Sequence, residues 1–258
     1  MSVTLSIIMP VFNEAETISR VMRRVLEVPF DLEVIAVNDG SDDGTAEILE
    51  GLAANDSRIR LIHQKNAGKT AALRKGFEMS RGEVVIVQDA DLEYDPAEIE
   101  HVVQPILDGQ ADVVYGSRFL VRRAARVLYF YHYIANVFLT FLSNALTNLN
   151  MTDVETGYKA FRGDIIRNMI IDSKGFGFEI EVTAKVAKLG AVVYEVPISY
   201  YGRTYLEGKK IGARDAIFAL WYILRFNLFC GLGRSYKSIP KRYSDRAHDY
   251  SGGSGGRV

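Results

Sequence analysis

The chain has 258 residues, 48% of them hydrophobic, which is enough to bury the core of one large α/β domain or of two small ones. Its formal net charge of −1 argues against a nucleic-acid-binding protein, and its single cysteine, Cys230, excludes an intramolecular disulfide framework. The sequence lacks both the pattern of a secretory leader and the roughly 18 consecutive apolar residues of a membrane-spanning helix, so we expect a cytoplasmic protein.

The first half of the chain alternates between the hydrophobic periods of strands and helices. Short segments rich in β-branched residues predict strands at Leu5–Val11, Glu33–Val37, Ile59–Ile62, Glu83–Val87 and Asp112–Tyr115. The segments between them predict helices at Glu14–Leu26, Asp42–Ala54, Lys69–Ser80 and Pro96–Leu107. This alternation is typical of a mostly parallel sheet covered by helices on both faces, in which ligands bind at the carboxyl ends of the strands.

The second half of the chain contains two long, aromatic and very apolar segments, Arg126–Leu146 and Ile211–Leu232, which we predict to be helices. Polar residues interrupt both, so the pattern fits amphipathic helices that lie in a membrane interface as well as ordinary buried helices. After Gly233 the chain becomes basic and loses its pattern, and it ends in Gly and Ser. We therefore predict one domain over residues 1–232 and a flexible basic tail over residues 233–258.

Polar residues follow the first two predicted strands. Pro10, Asn13 and Glu14 come at the tip of the first, and Asp39 comes at the tip of the second. Helix capping would explain Asn13 and the segment 41–43 without any ligand. It does not explain Asp39, which precedes the turn and stands where a ribose or a base edge would be met.

The segment NAGKT at residues 66–70 invites comparison with a phosphate-binding loop. The full pattern requires a glycine five residues before Gly68, and that position is His63. We therefore interpret Lys69 as a helix start, with contact to a phosphate as the less favoured alternative.

Acidic residues follow the fourth predicted strand, at Asp89, Asp91 and Glu93. If the strand continues through Asp91, two carboxylates face the same side of its end, since side chains two residues apart point the same way. A solvated edge would carry lysines among the acids. Because oxygen ligands suit hard cations, we expect a Mg²⁺ or Mn²⁺ site that also binds a substrate diphosphate.

The ordered motifs PVFNE, NDGSDDGT, QDADLEYDP, GSR, ETGYKAF, GFEIEVTAK and EVPISY resemble those of inverting glycosyltransferases of family 2 with the GT-A fold. Within that family the chain is most similar to polyprenyl-phosphate (dolichol-phosphate) hexose synthases, such as the mannose synthases. The resemblance runs from about Leu5 to Tyr201.

The resemblance implies an α/β GT-A fold and transfer of a hexose from a nucleotide-diphosphate sugar, GDP-mannose or UDP-glucose, to a polyprenyl phosphate. It implies catalytic roles for Asp89, Asp91 and Arg118, with Mg²⁺ or Mn²⁺ at Asp89, Asp91 and Glu93. The donor would be bound by Pro10, Asn13, Glu14, Asp39, Asp89 and Asp91. The acceptor phosphate would be bound by Arg118 and by a second arginine downstream, for which we favour Arg126, with His132 as its neighbour. Arg203, which follows the EVPISYYG segment, is a further candidate for the acceptor site.

An acceptor drawn from a bilayer makes us expect a protein attached peripherally to the inner face of the membrane through its apolar helices and basic tail. The alternative acceptor is a carbohydrate hydroxyl, which would need a general base such as Asp153 or Glu155. A nucleotidyltransferase and a non-catalytic sensor of nucleotide sugars are the remaining alternatives.

Overall fold

The computed structural model describes residues 3–120, 129–175, 177–202 and 213–244. The strands in these ranges are β1 (Leu5–Val11), β2 (Leu32–Asn38), β3 (Ile59–His63), β4 (Val84–Val87), β5 (Val113–Ser117), β6 (Lys159–Arg162) and β7 (Val193–Pro197). The helices are α1 (Ile18–Leu26), α2 (Thr45–Asn55), α3 (Lys69–Met79), α4 (Ile99–Leu107), α5 (Phe130–Thr147), α6 (Gly163–Asn168), α7 (Phe178–Leu189) and α8 (Ala213–Leu228).

All seven strands form one sheet in the order β3-β2-β1-β4-β6-β5-β7. Its pairs are parallel apart from those of β6, which runs antiparallel to both β4 and β5. β4 and β5 therefore point the same way on either side of β6, and their carboxyl ends lie at one edge of the sheet. The predicted mostly parallel α/β sheet is confirmed.

The core lies on both faces of this sheet. β2 and β4 are buried at every residue, as expected of central parallel strands. In β1, Ile7 and Met9 pack into the apolar cluster on one face, whereas Ile8 packs into the cluster on the other. Helix α3 approaches β1 so closely that a Cβ atom added at Gly76 would lie 2.3 Å from Cγ2 of Ile8.

Several predicted boundaries are wrong at the polar strand tips. α1 begins at Ile18 rather than Glu14, because Asn13 has a φ of 55° and a turn follows it. α2 begins at Thr45 rather than Asp42, because Gly44 has a φ of 91°. Asn13 does not cap α1, and Gly44 rather than a residue of the segment 41–43 occupies the N-cap position of α2. Oδ1 of Asp43 does accept from the amide of Thr45, the first residue of α2, at 3.1 Å, so the capping interpretation is right for Asp43 alone.

β4 ends at Val87, so the strand does not continue through Asp91. The acids lie in a turn in which Leu92 has a φ of 62°. The alternation argument that placed both carboxylates on one side of an extended chain is therefore wrong, although the acids do follow the strand directly.

Helices α5, α7 and α8 pack together beside the sheet through a small cluster that includes Leu139, Ile180 and Ile223. The structure begins α5 at Phe130, and α8 ends at Leu228 rather than at Leu232. None of the helices within the described ranges is both long and apolar enough to cross a membrane.

The segment that follows Gly233 differs from the predicted free tail. Tyr236 and Tyr243 are buried in the core, and Arg242 forms an ion pair of 2.8 Å with the buried Asp112. Residues 233–244 are thus packed on the body of the protein, because their tyrosines bury apolar surface. The prediction of a free tail considered only the basic residues of this segment. Residues 245–258 lie outside the described residues.

Candidate active site

The loops that follow β1 and β2 are bonded to each other. The side chain of Asn13 donates to Oδ1 of Asp42 at 2.8 Å, and its own carbonyl accepts from the amide of Asp42 at 3.0 Å. The amide of Glu14 donates to Oγ1 of Thr45 at 2.9 Å, and Oε2 of Glu14 accepts from Thr17 at 2.8 Å. The predicted donor residues Asn13 and Glu14 are thus brought to the tip of β2, beside the half-buried Pro10 at the end of β1.

Asp39 is buried at the end of β2 and organises the loop that precedes α3. Its Oδ1 accepts from the amide of Ala67 and from Nε2 of Gln64, and its Oδ2 accepts from the amide of Gly68, at distances of 2.7–2.8 Å. The sequence did not predict this role. It fixes the start of α3 relative to β2.

The loop that follows β4 carries the predicted metal ligands. The amide of Glu93 donates to Oδ1 of Asp91 at 3.1 Å, and Oε2 of Glu93 accepts from the hydroxyl of Tyr200 at 2.9 Å. Tyr94 stacks on Tyr158 at 5.2 Å, and its hydroxyl oxygen accepts from the amide of Gly157. These contacts hold the acidic loop against the segment that precedes β6.

Lys69, the first residue of α3, lies at the same acidic loop. Its Nζ is 2.9 Å from both carboxylate oxygens of Asp89 and 3.8 Å from Oε1 of Glu179 on α7. Burial alone would lower the pKa of Lys69, but the charges of Asp89 and Glu179 raise it above its ordinary value. The lysine is therefore a permanent cation at this site.

Arg118 follows β5 and forms a fork-to-fork ion pair with Asp153. Its Nε and Nη2 each donate to one carboxylate oxygen at 2.7 Å, and Nη2 also reaches Oδ1 of Asn136 at 3.2 Å. Burial would lower the pKa of Arg118, but Asp153 raises it well above the ordinary value. Because Arg118 already neutralises Asp153, this acid is not placed to act as a general base.

Two contacts link the arginine to its surroundings. The guanidinium of Arg118 lies 5.2 Å from the ring centre of Tyr200, whose hydroxyl binds Glu93, so one aromatic side chain joins the acidic loop to the arginine. His132 lies one turn before Asn136 on α5, and its carbonyl oxygen accepts from the Asn136 side chain at 2.7 Å. The main chain of His132 is therefore linked to Arg118 through the side chain of Asn136, and the acceptor role of His132 stays a prediction.

A second lysine lies beneath the site. Nζ of Lys159 is buried and donates to the carbonyl oxygens of Val154 and Thr156. Burial lowers its pKa to about 8, although the negative charges of Glu179 and Asp153 oppose this shift. Burial, together with the charge of Glu179, raises the pKa of Glu155 to about 7.

Two carboxylate oxygens of this cluster are buried without a hydrogen-bond partner in the described part of the chain, Oε1 of Glu155 and Oε2 of Glu179. Buried polar atoms in folded proteins are nearly always paired. Their position beside Lys69 and Lys159 is therefore one where a polar ligand or water is expected.

The sequence analysis did not predict Asn136, Tyr200 or Lys159 as members of this site, and it gave Lys69 only as a less favoured phosphate contact. Lys69 and Tyr200 do stand in quoted motifs, NAGKT and EVPISY, so the signal was present. Arg126 and Arg203, the further predicted acceptor residues, lie outside the described residues.

The acidic loop suits a divalent cation that shares its ligands with a diphosphate. No three acidic, histidine or cysteine side chains of the residues described here form a ready-made cluster. Mg²⁺ and Mn²⁺ are commonly bound by one or two carboxylates together with substrate phosphates and water. The oxygen donors of Asp89 and Asp91, at the partly open end of β4, fit that arrangement.

Comparison with known proteins agrees with the fold and the motifs. The family model of glycosyl transferase family 2 matches residues 6–170. The chain belongs to glycosyltransferase family 2. This assignment makes it a glycosyltransferase.

Two relatives of this glycosyltransferase match it over most of their own length. Polyprenol monophosphomannose synthase of Mycolicibacterium smegmatis is 30% identical over 222 residues, which cover 82% of this chain and 83% of that protein. Undecaprenyl-phosphate mannosyltransferase of Micrococcus luteus is 29% identical over 212 residues, which cover 80% of this chain and 86% of that protein. Relatives of this chain are thus named for transfer to polyprenyl phosphates.

Among solved structures, the chain is similar to glucosyl-3-phosphoglycerate synthase from Mycobacterium tuberculosis in complex with Mn²⁺, UDP and phosphoglyceric acid. The TM-score is 0.67 at 20% identity, over 87% of this chain and 78% of the other. At this identity the likeness concerns the fold, which confirms the GT-A prediction.

Proposed function

We propose that this glycosyltransferase moves a hexose, with inversion, from a nucleotide-diphosphate sugar to a polyprenyl phosphate. The observation that carries the proposal is the meeting of two opposite charges at one edge of the sheet. The acids after β4 suit a metal-bound diphosphate, and Arg118 after the parallel β5 suits an anionic acceptor. The relatives named for polyprenyl-phosphate mannosyl transfer support the same acceptor class.

The donor is GDP-mannose or UDP-glucose, with its base and ribose at Pro10, Asn13, Glu14 and Asp39. Its diphosphate lies at Asp89, Asp91 and Glu93, which would hold Mg²⁺ or Mn²⁺. A divalent cation supplies Lewis-acid stabilisation of the negative charge that develops on the departing nucleotide.

The acceptor needs to be positioned rather than deprotonated. A phosphate monoester has its second pKa near 6 and is therefore largely dianionic at neutral pH. A guanidinium fork matches phosphate oxygens. Within the described residues the hydrogen bonds of Arg118 use Nε and Nη2, which leaves Nη1 to donate to an acceptor oxygen. Arg126, Arg203 and His132 complete the proposed acceptor site.

The lipid is reached through peripheral attachment to the inner face of the membrane. Helix α5 exposes Phe130, Phe138 and Phe141, and α8 exposes Phe218 and Trp221, each by more than half of its surface. Such large aromatic side chains on two adjoining helices are typical of an interface with lipid or protein. Arg118 contacts α5 through Asn136, so this apolar surface adjoins the proposed acceptor site.

A second candidate function, transfer to a carbohydrate hydroxyl, is favoured by one observation. Glu155 has a pKa raised to about 7, which suits a general base. Replacement of Glu155 by Gln would then abolish transfer to any acceptor. With a phosphate acceptor, E155Q keeps transfer, because no proton has to be removed.

The proposed function is tested by incubating the protein with a panel of nucleotide sugars, Mn²⁺ and a short polyprenyl phosphate. We expect a sugar-bearing lipid phosphate and a free nucleoside diphosphate with at least one donor. Release of pyrophosphate would indicate a nucleotidyltransferase, and binding of donor without turnover on any acceptor would indicate a sensor.

A further inference from the structure

We propose that Lys69 is a resident counter-ion of Asp89 that competes with the divalent cation, so that the metal binds tightly only together with the donor diphosphate. The inference rests on the proposed metal site at Asp89. It assigns to Lys69 a positioning role, which couples two binding events.

The ammonium group of Lys69 occupies the coordinating side of Asp89. Both carboxylate oxygens lie 2.9 Å from Nζ, and the side chains of the pair are only 21% and 17% exposed. Gly157 packs against the pair: a Cβ atom there would lie 2.9 Å from Oδ2 of Asp89 and 3.4 Å from Nζ. A cation that reaches these oxygens must therefore displace the ammonium group or share the carboxylate with it.

The main chain of Lys69 is fixed, whereas its head group has a second place to go. Asp39 binds the two amides that precede Lys69, and Thr70 donates to the carbonyl oxygen of Gly175 at 2.8 Å. The ammonium group ends a flexible four-carbon stem. Glu179 already lies 3.8 Å away through Oε1, and its Oε2 is buried without a partner in the described ranges.

Electrostatics then sets the order of binding. Two cations on one carboxylate repel each other strongly where water is partly excluded. A nucleoside diphosphate brings the negative charge that allows both cations to stay, with the lysine moved toward Glu179 or toward a phosphate oxygen. Free metal binds weakly, and metal and nucleotide strengthen each other's binding by the same factor.

The test measures Mn²⁺ affinity of the full chain by titration calorimetry and by electron paramagnetic resonance, with and without GDP or UDP. The main variant is Lys69→Met, which removes the competing charge. Lys69→Gln serves the same purpose if the apolar side chain prevents folding, and Lys69→Arg keeps the charge. Lys75→Met removes an exposed lysine from the same helix and is the matched control.

We expect K69M or K69Q to bind Mn²⁺ at least about fivefold more tightly than the wild type in the absence of nucleotide, within the usual range of coupling between sites. The factor by which nucleotide strengthens Mn²⁺ binding should fall correspondingly. K69R and K75M should resemble the wild type.

The Asp89→Asn variant separates the two hypotheses. If D89N leaves Mn²⁺ affinity unchanged in the presence of nucleotide, the metal site itself is wrong and the role of Lys69 falls with it. If D89N removes Mn²⁺ binding but K69M and K69Q bind free Mn²⁺ no more tightly than the wild type, the metal site stands and the inference about Lys69 is overturned.

Discussion

At the scale of single residues, the ion pair between Arg118 and Asp153 stabilises the fold, and its arginine is also the proposed ligand of the acceptor phosphate. Asp153 is fully buried, so loss of Arg118 leaves an unpaired charge in the interior. We predict that Arg118→Met lowers the free energy of unfolding by about 3–5 kcal/mol, as when one partner of a buried ion pair is removed. Chemical denaturation measures this loss.

The double variant R118M/D153N separates stability from acceptor binding. Because neither charge remains, most of the lost stability should return. The KM for polyprenyl phosphate should stay raised, whereas the KM for the nucleotide sugar should change little. Equal losses for donor and acceptor would contradict the acceptor role of Arg118.

Glu155 gives the stability of the protein a pH dependence of predictable sign. Its pKa is raised to about 7 in the folded protein from an ordinary value of 4.5, so between these pH values the folded state holds the proton that the unfolded state has lost. The contribution of Glu155 to the free energy of unfolding therefore falls as the pH rises from 4.5 to 7. We predict that E155Q gains stability relative to the wild type from pH 5 to pH 8, as measured by thermal unfolding. A constant difference across this range would contradict the assignment.

At the scale of elements, two helical glycines differ in the space around them. A Cβ atom at Gly76 of α3 would overlap Ile8 of β1, whereas a Cβ atom at Gly51 of α2 meets nothing within 4 Å. We predict that Gly76→Ala destabilises the protein by about 1–3 kcal/mol through overpacking. Gly51→Ala should stabilise it by about 0.5–1 kcal/mol, because alanine is the better helix former. Denaturant titration of both variants checks the packing of α3 on the sheet.

The apolar surface of α5 and α8 predicts binding to lipid vesicles. Each exposed ring that inserts gains about 1 kcal/mol at ~25 cal/mol/Å², so replacing Phe138 and Phe141 by Ser should lower vesicle partitioning by about tenfold or more. The control replaces Val192 and Tyr194, which are exposed near the start of β7. Co-sedimentation with vesicles measures both, and unchanged binding of the α5 variant would contradict membrane attachment through this surface.

At the scale of the whole molecule, the sequence predicts what local patterns encode. The strands of the first half can be recognised in the sequence because central parallel strands are continuous apolar runs. The acids after β4 can be recognised because they directly follow such a run. The insertion of β6 between β4 and β5 was missed, because Lys159–Arg162 is short and half polar.

The ion pairs of the site could not be predicted from the sequence either. Lys69 meets Asp89 and Glu179, and Arg118 meets Asp153, across long stretches of chain. Local pattern carries no information about such pairs. They depend on the order of strands in the sheet and on the loops at its carboxyl edge.

The central claim is that the donor diphosphate is held through a divalent cation by the acids after β4. Its most direct test is a crystal structure with Mn²⁺ and nucleoside diphosphate, in which anomalous scattering locates the metal. We predict one Mn²⁺ coordinated by Asp89, Asp91 and a diphosphate oxygen, with Lys69 displaced from Asp89. A nucleotide bound with its diphosphate remote from both aspartates, and Asp89 still paired with Lys69, would contradict the account.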